Sequence, residues 1–396
     1  MTDIQAQSLP YILAGKDVIG QGKTGSGKTA AFGLGLLNKL EVKRFRIQTL
    51  VLCPTRELAD QVAIEIRKLA RSIHNIKVLT LCGGVPFGPQ VGSLEHGAHI
   101  IVGTPGRIED HLGRGTLALH DVNTLILDEA DRMLEMGFQA SLDAIVDQIP
   151  EQRQTLLFSA TFPKQIQAIA DRIMQSPEMV HAVATHNNNS ISQHFFKVDD
   201  NDNAQRITAL RLLLLKYRPQ SSVIFCNTKK EVQEVANSLA NYGFSAVALH
   251  GDLEQRDRDQ TLVRFSNKSA SIMVATDVAA RGLDIDSLDA VFNFHIARDS
   301  EVHVHRIGRT GRAGGKGMAF SLYSDKENYK IGLLEDYLDN VIVNELLPDA
   351  AILNEPVFLP TMTTLQIDGG KKQKVRPGDI LGALTSENGI AGNEVG

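Results

Sequence analysis

The stretch "GKTGSGKT", residues 22–29, satisfies G-x-x-x-x-G-K-[ST] and lies between the apolar "DVIG" and the helical "KTAAFGLGLLNKL". That combination suits an anion. Gly25 and Gly27 let successive backbone N–H groups, those of Thr24 and Ser26 among them, turn inward on phosphate oxygens, and the following helix adds its N-terminal partial charge. Lys28 reaches the β and γ phosphates, and the Thr29 hydroxyl binds Mg²⁺. A glycine-rich turn without chemistry is the alternative, and the flanking elements weigh against it. A second stretch, "TLILDEAD" (124–131), ends an apolar strand in adjacent carboxylates. Asp128 can hold Mg²⁺ directly or through water, and Glu129 can accept a proton from an attacking water. A solvated acidic start to a helix, favoured by the helix dipole, would look the same without the phosphate loop. For Asp131 a helix-capping carboxylate and a direct role stand equal.

Residues of this kind need strand ends to hold them, and the chain supplies strands in the expected rhythm. "DVIGQG", "TLVLCP", "IKVLTLC", "HIIVGTP", "TLILDE" and "TLLFSAT" alternate with helical patterns in the first half. "SSVIFC", "SAVALHG", "SIMVATD", "AVFNFHI" and "GMAFSLY" do so in the second. This predicts two α/β domains with parallel sheets and crossover helices. One such helix runs from Arg56 to Ile73, with Leu58, Val62, Ile66, Leu69 and Ile73 on one face. The polar "THNNNSIS" (185–192) reads as the linker, which gives domains over 1–185 and 186–345. Residues 346–396 are left for a linker and a third module that the chain ends before completing. Of 396 residues, 43% are hydrophobic and 22% charged, an ordinary globular balance with ample core for two domains. The three cysteines form no CxxC pair, so neither a disulfide framework nor a zinc site is indicated. With no leader pattern and no long apolar run, the chain reads as soluble, intracellular and free of membrane. A net charge of −5 argues against a uniformly basic nucleic-acid binder but leaves local patches open.

Phosphate loop and "DEAD" together resemble the DEAD-box RNA helicases, and further motifs follow in that family's order. These are "PTRELA" (54–59), "GG" (83–84), "TPGR" (104–107), "SAT" (159–161), "IFCNT" (224–228), "ATDVAARGLD" (275–284) and "HRIGRTGRAG" (305–314). "IDGGKKQKVRPGDILGAL" is similar to the bacterial DbpA type within that family, whose extra C-terminal domain is an RNA-recognition fold. The resemblance implies two tandem RecA-like domains, with Arg309 and Arg312 brought to the γ-phosphate as arginine fingers and His305 nearby. A solvated basic face of Arg306, Arg309 and Arg312 is the alternative. It implies that Gln5 reads adenine, that Asp284 meets the ribose, and that ATP and Mg²⁺ are the cofactors. RNA is the partner, gripped through sugar and phosphate by Arg56, Gly83, Gly84, Thr104, Arg107, Thr276, Arg281 and Gly282, and ribosomal RNA is the substrate expected of the DbpA type. Taken singly, each could be an ordinary turn or cap residue. The expected protein is a cytoplasmic, monomeric RNA helicase that separates short duplexes in ribosome assembly. An ATP-gated RNA clamp with little turnover stands beside it, and a P-loop kinase without nucleic acid is disfavoured by the second α/β half. Three departures from the family pattern stand out: no aromatic residue upstream of Gln5, glycine at position 22 where alanine is usual, and a third module too short for a whole RNA-recognition fold.

Overall fold

A computed structural model describes the chain except residues 23–25, 182–190, 199–202, 281–287, 312–314, 388 and 396. The described residues divide into two compact units, one ending at His181 and the other beginning at Ile191. The expected linker and the 185/186 boundary fall largely outside the described residues.

In the first unit the strands are β1 (Val18–Gln21), β2 (Thr49–Leu52), β3 (Val78–Leu81), β4 (Ile100–Gly103), β5 (Thr124–Asp128), β6 (Gln154–Ser159) and β7 (Glu178–His181). They form one parallel sheet in the order β3-β4-β2-β5-β6-β1-β7. Its central strands are buried along their whole length, because helices cover both faces. Period-two geometry then deals alternate residues to two cores: Leu125 and Leu127 to one, Ile126 to the other. Strand order is what builds the site. β1, which feeds the phosphate loop, and β5, which ends in the carboxylates, flank β6 and its "SAT".

In the second unit the strands are β8 (Ile191–Lys197), β9 (Ser222–Cys226), β10 (Ala246–Leu249), β11 (Ile272–Thr276), β12 (Ala290–Asn293), β13 (Gly317–Tyr323) and β14 (Asn344–Glu345). They pair in parallel as β10-β11-β9-β12-β13-β8-β14. The doubly covered parallel architecture expected from the sequence is therefore present twice.

Several details differ from the sequence reading. The helix from Arg56 stops at Leu69 and continues as a single 3₁₀ turn, Ala70–Ser72, before Asn75 takes a left-handed conformation. Ile73 is left exposed. Strands β7, β8 and β14 went unnoticed. β7 and β14 are edge strands, and only Val180 of β7 is buried, which is too little pattern to reveal a strand. Residues assigned to a third module also contribute to the second core, where Leu347, Ile352, Leu353 and Val357 pack around a buried Phe358. Phe358 meets Phe244 edge-on, ring centroids 5.9 Å apart. Beyond it the short helix Pro377–Leu384 buries no residue.

Phe358→Ala should therefore destabilise the second unit by about 3 kcal/mol, the usual range for an emptied aromatic site. Chemical denaturation would show this, and a loss below about 0.5 kcal/mol would mean that the segment is not part of the core.

Candidate nucleotide and RNA site

Beyond β1 the phosphate loop is described at Gly22 and from Ser26 onward; Thr24 and Gly25 lie outside the described residues. Gly27 sits at φ 93° just before the helix Lys28–Lys39, in the left-handed region that favours glycine. A Cβ there would also come within 2.5 Å of Gln5 Nε2 and 2.8 Å of Thr2 Oγ1. Gln5 Nε2 donates to the Gly27 carbonyl at 3.2 Å, and Gln5 Oε1 accepts from the Thr2 N–H at 3.0 Å. The first helix, Asp3–Leu13, is thus tied to the loop through the glutamine singled out from the sequence. Lys28 is buried, and its Nζ donates to the Gly22 carbonyl across the loop at 2.7 Å. Ser26 Oγ is buried without a hydrogen-bond partner among the described residues, and Thr29 lies in the first turn of the helix. A buried, unsatisfied hydroxyl costs roughly 1–3 kcal/mol, so its presence beside an amine and a helix N-terminus fits a site for phosphate oxygens.

Asp128 ends β5 and is 2% exposed. Burial pushes its carboxyl up to about 6; the Lys28 ammonium pulls the other way, while Glu129 and Asp131 add to the rise. Its Oδ1 accepts the Glu129 N–H at 3.1 Å. Glu129 takes φ 52°, ψ 53°, a left-handed conformation costing a side chain about 1–2 kcal/mol, and it turns the chain sharply from strand to helix. Asp131 does not cap this helix, whose N-cap is Glu129. Its Oδ2 accepts both the N–H and the hydroxyl of Thr161 at 3.0 Å, and its own N–H donates to Ser159 Oγ at 3.3 Å. The Ser159 carbonyl in turn accepts the Gly22 N–H at 2.9 Å. One serine therefore touches both the phosphate loop and the carboxylate turn.

At the same end of the sheet, neighbouring strands β2, β4 and β3 carry "PTREL", "TPGR" and "GG". Arg56 opens its helix after the cap Thr55 and pairs with Asp60 at 3.5 Å. Gly84 has φ 74°, and Gly83 has open space where a side chain would stand. Thr104 precedes the helix Pro105–Gly113, and both terminal nitrogens of Arg107 donate to the Val85 carbonyl at 3.2 Å. Three residues that carried no signal in the sequence hold these loops together. Phe87 stacks on His111 with centroids 4.1 Å apart, His111 Nε2 bonds Gln90 Oε1 at 3.1 Å, and Gln90 Nε2 donates to the Cys82 carbonyl at 2.9 Å.

In the second unit Thr276 ends β11, and its hydroxyl accepts the Ala279 N–H at 3.3 Å. His305 lies on the helix Ser300–Ile307, and Arg309 follows that helix, its carbonyl accepting the Leu288 N–H at 3.3 Å. Arg281, Gly282, Asp284 and Arg312 lie outside the described residues. A solvated face shared by the arginines is ruled out for Arg306, which is 2% exposed. Its guanidinium grips Asp277 through two bonds, 2.6 and 2.8 Å, and donates to the His295 carbonyl at 2.9 Å and to Asn293 Oδ1 at 3.2 Å.

Residues 2–169 match the DEAD/DEAH box helicase family, residues 205–314 the helicase conserved C-terminal domain, and residues 364–396 the DbpA RNA binding domain. The ATP-dependent RNA helicase DbpA of Escherichia coli is 54% identical over all of this chain and 86% of its own. The chain belongs to the DEAD-box RNA helicases, in their DbpA type. This helicase is similar in structure to Saccharomyces cerevisiae Dbp5 bound to RNA and ADP BeF3, at 29% identity and a TM-score of 0.75, covering 87% of this chain and 89% of that one. It is similar to Mss116p bound to ssRNA and AMP-PNP at 26% identity and a TM-score of 0.77, covering 89% and 75%. The DEAD-box helicase is thus an ATP-dependent enzyme built on two RecA-like domains, with a DbpA RNA-binding segment at its C-terminal end.

The helicase's buried Asp128 supports a stability test. Its folded-state value of about 6 lies above the free-aspartate value of 3.8, so above pH 6 the fold holds an ion it disfavours, at a cost of up to about 3 kcal/mol. Asp128→Asn should raise the thermal midpoint of the ligand-free protein at pH 8, with the gain shrinking as pH falls toward 5. A gain that does not change with pH would mean the carboxyl is not titrating in this range.

Proposed function

We propose that the chain couples ATP hydrolysis to local separation of RNA duplexes, working as a cytoplasmic monomer on ribosomal RNA in ribosome assembly. Domains over 1–185 and 186–345, the second completed by the core residues from Leu347 to Phe358, do the mechanical work, and the segment beyond Phe358 brings the RNA. The observation that carries the reading is the junction at Ser159, which ties the phosphate loop to the turn bearing Asp128 and Glu129.

Thr24, Gly25, Ser26, Gly27 and Lys28 hold the phosphates, with Gln5 at the adenine and Asp284 at the ribose. Thr29 and Asp128 would hold Mg²⁺, the latter partly through water. Ser26's unsatisfied hydroxyl and a carboxylate that is ionised at neutral pH suit that donor set. When bound, the metal neutralises charge on the β and γ oxygens. Glu129 orients the attacking water and takes its proton. Arg309 and Arg312 stabilise charge on the transferring phosphoryl group, with His305 beside them. Arg56, Gly83, Gly84, Thr104, Arg107, Thr276, Arg281 and Gly282 grip the RNA backbone, which reads no bases. Further salt-sensitive phosphate contacts fall to the C-terminal segment, where Lys372, Lys374 and Arg376 lie close in sequence. Among the described residues, no helix is long and apolar enough to cross a membrane.

Lys28→Ala and Glu129→Gln should both abolish RNA-stimulated phosphate release, yet they should differ in binding. Lys28→Ala loses a phosphate contact and weakens ATP, whereas Glu129→Gln keeps the shape and removes only the base, trapping ATP and RNA together. Turnover by Glu129→Gln at the unmodified rate would defeat the assignment. An unmodified chain that binds both ligands without releasing phosphate would instead be a clamp.

Replacing Lys372, Lys374 and Arg376 with alanine should lower the slope of log affinity against log salt by about 2 for a structured ribosomal RNA. An unchanged slope, measured by filter binding over a salt series, would take the segment out of the RNA contact.

A further inference from the structure

The helix Asp3–Leu13 carries the glutamine read as the adenine contact, and the bonds of Gln5 among the described residues use half of its amide. Nε2 donates to the Gly27 carbonyl and Oε1 accepts the Thr2 N–H, which leaves one N–H and one oxygen lone pair. Adenine offers the matching pair along one edge, an N7 acceptor beside an N6 donor, whereas guanine offers two acceptors, N7 and O6. Such an amide favours adenine only while it is held at a fixed place and angle. The helix that carries it must therefore be set as closely as the contact itself.

That helix is held at both ends. Ile4 and Ile12 on its buried face share a core with Phe32 and Leu36 of the helix Lys28–Lys39. Gln5 meets Gly27 at the start of that second helix, and about two turns further along each, Ile12 meets Gly35, so the two run side by side in one direction. The approach is close: a Cβ on Gly35 would stand 2.1 Å from Ile12 Cγ2, and a β-branched side chain has few other rotamers to retreat to. Gln154 fixes the helix lengthwise. It opens β6, is 4% exposed, and donates from Nε2 to the carbonyls of Ile12 at 2.9 Å and Lys16 at 2.7 Å. Beside it, the Thr155 N–H donates to Asp17 Oδ1 at 2.7 Å. One strand thus grips the far end of this helix through Gln154 and the phosphate loop through Ser159, whose carbonyl accepts the Gly22 N–H at 2.9 Å.

We propose that Gln154 and Gly35 are positioning residues for nucleobase selection. They act through the helix Asp3–Leu13, about 10 Å along its axis from Gln5, and hold it where the free donor and acceptor of Gln5 meet adenine and mismatch guanine. This rests on the reading of Gln5 as the adenine contact. Shortening or removing the tie at Gln154, or adding a methyl group at Gly35, shifts the helix against Gly27 and costs discrimination between the bases more than it costs binding of the phosphates.

The probe is a fluorescent ADP bound to the whole chain and displaced by unlabelled ADP or GDP, which differ only in the base. The ratio of the two Kd values is independent of the fraction of chain that is folded, because both nucleotides titrate the same population. Gln5→Ala should cut the preference for ADP roughly tenfold, as the loss of one bidentate pair to a base warrants. Gln154→Met, which removes both donors at similar length, and Gly35→Ala should each cut it at least about threefold. Gln154→Met added to Gln5→Ala should lower the ratio no further, since it acts through Gln5. If Gln5→Ala lowers the ratio while Gln154→Met and Gly35→Ala keep the parental one, with ADP and GDP merely weakened alike, the two residues serve stability alone and the proposal is overturned. A further drop in the double variant overturns it as well, because Gln154 would then act by another route. A parental ratio in Gln5→Ala itself overturns the underlying adenine assignment instead, and the proposal with it.

Discussion

Everything in the first unit turns on a problem of adjacency. A parallel sheet delivers each strand's chemistry to one end, but the phosphate loop and the acidic turn belong to strands that are not hydrogen-bonded to each other. β6 stands between them, and Ser159 at its end resolves the gap with its carbonyl on Gly22 and its hydroxyl on the Asp131 N–H. Asp131 then reaches on to Thr161. A few short hydrogen bonds thus fix the distance between the groups that would hold phosphate and those that would hold metal and water. Such placement is the main contribution a protein makes to phosphoryl transfer.

The same place concentrates unfavourable local energies. Asp128 is ionised where burial disfavours the ion, Glu129 is held in a left-handed conformation, and Ser26 keeps a hydroxyl without a partner among the described residues. None of these would persist in a loosely packed region. They are tolerated because the strands beneath are covered on both faces, with Leu125, Leu127, Ile126 and Leu156 wholly or almost wholly buried. A well-packed sheet and a strained rim are complementary: the first supplies the stability that the second gives up.

Much of this was legible in the sequence where the signal is local. The phosphate loop, the acidic turn and the doubly covered strands are contiguous patterns, and the structure has a strand and a helix where each requires them. What the sequence hid is what depends on distant partners. Asp131 could not be assigned because Thr161 is thirty residues away. Phe87, Gln90 and His111 bind the loops after β3 and β4 together, yet "PFGPQ" and "EDHLG" have nothing unusual in composition. Arg306 sits in a basic run that reads as solvated, while its partner Asp277 lies in another motif. Edge strands β7 and β14 were missed because a strand with little burial has little alternation to display.

The buried guanidinium of Arg306 has a consequence for its neighbours along the helix Ser300–Ile307. A helix held only by apolar packing can roll about its axis, since hydrophobic contact has no preferred direction. Arg306 removes that freedom, because a bidentate grip on Asp277 and bonds to His295 and Asn293 have a single fitting angle. Successive residues point about 100° apart. With position 306 keyed, the bearing of His305 is set like a tooth on a locked gear, and the chain leaves the helix toward Arg309 from a fixed heading. An insertion or deletion of one residue between Asp299 and Arg309 would therefore leave the composition of this segment almost intact and misdirect both side chains at once.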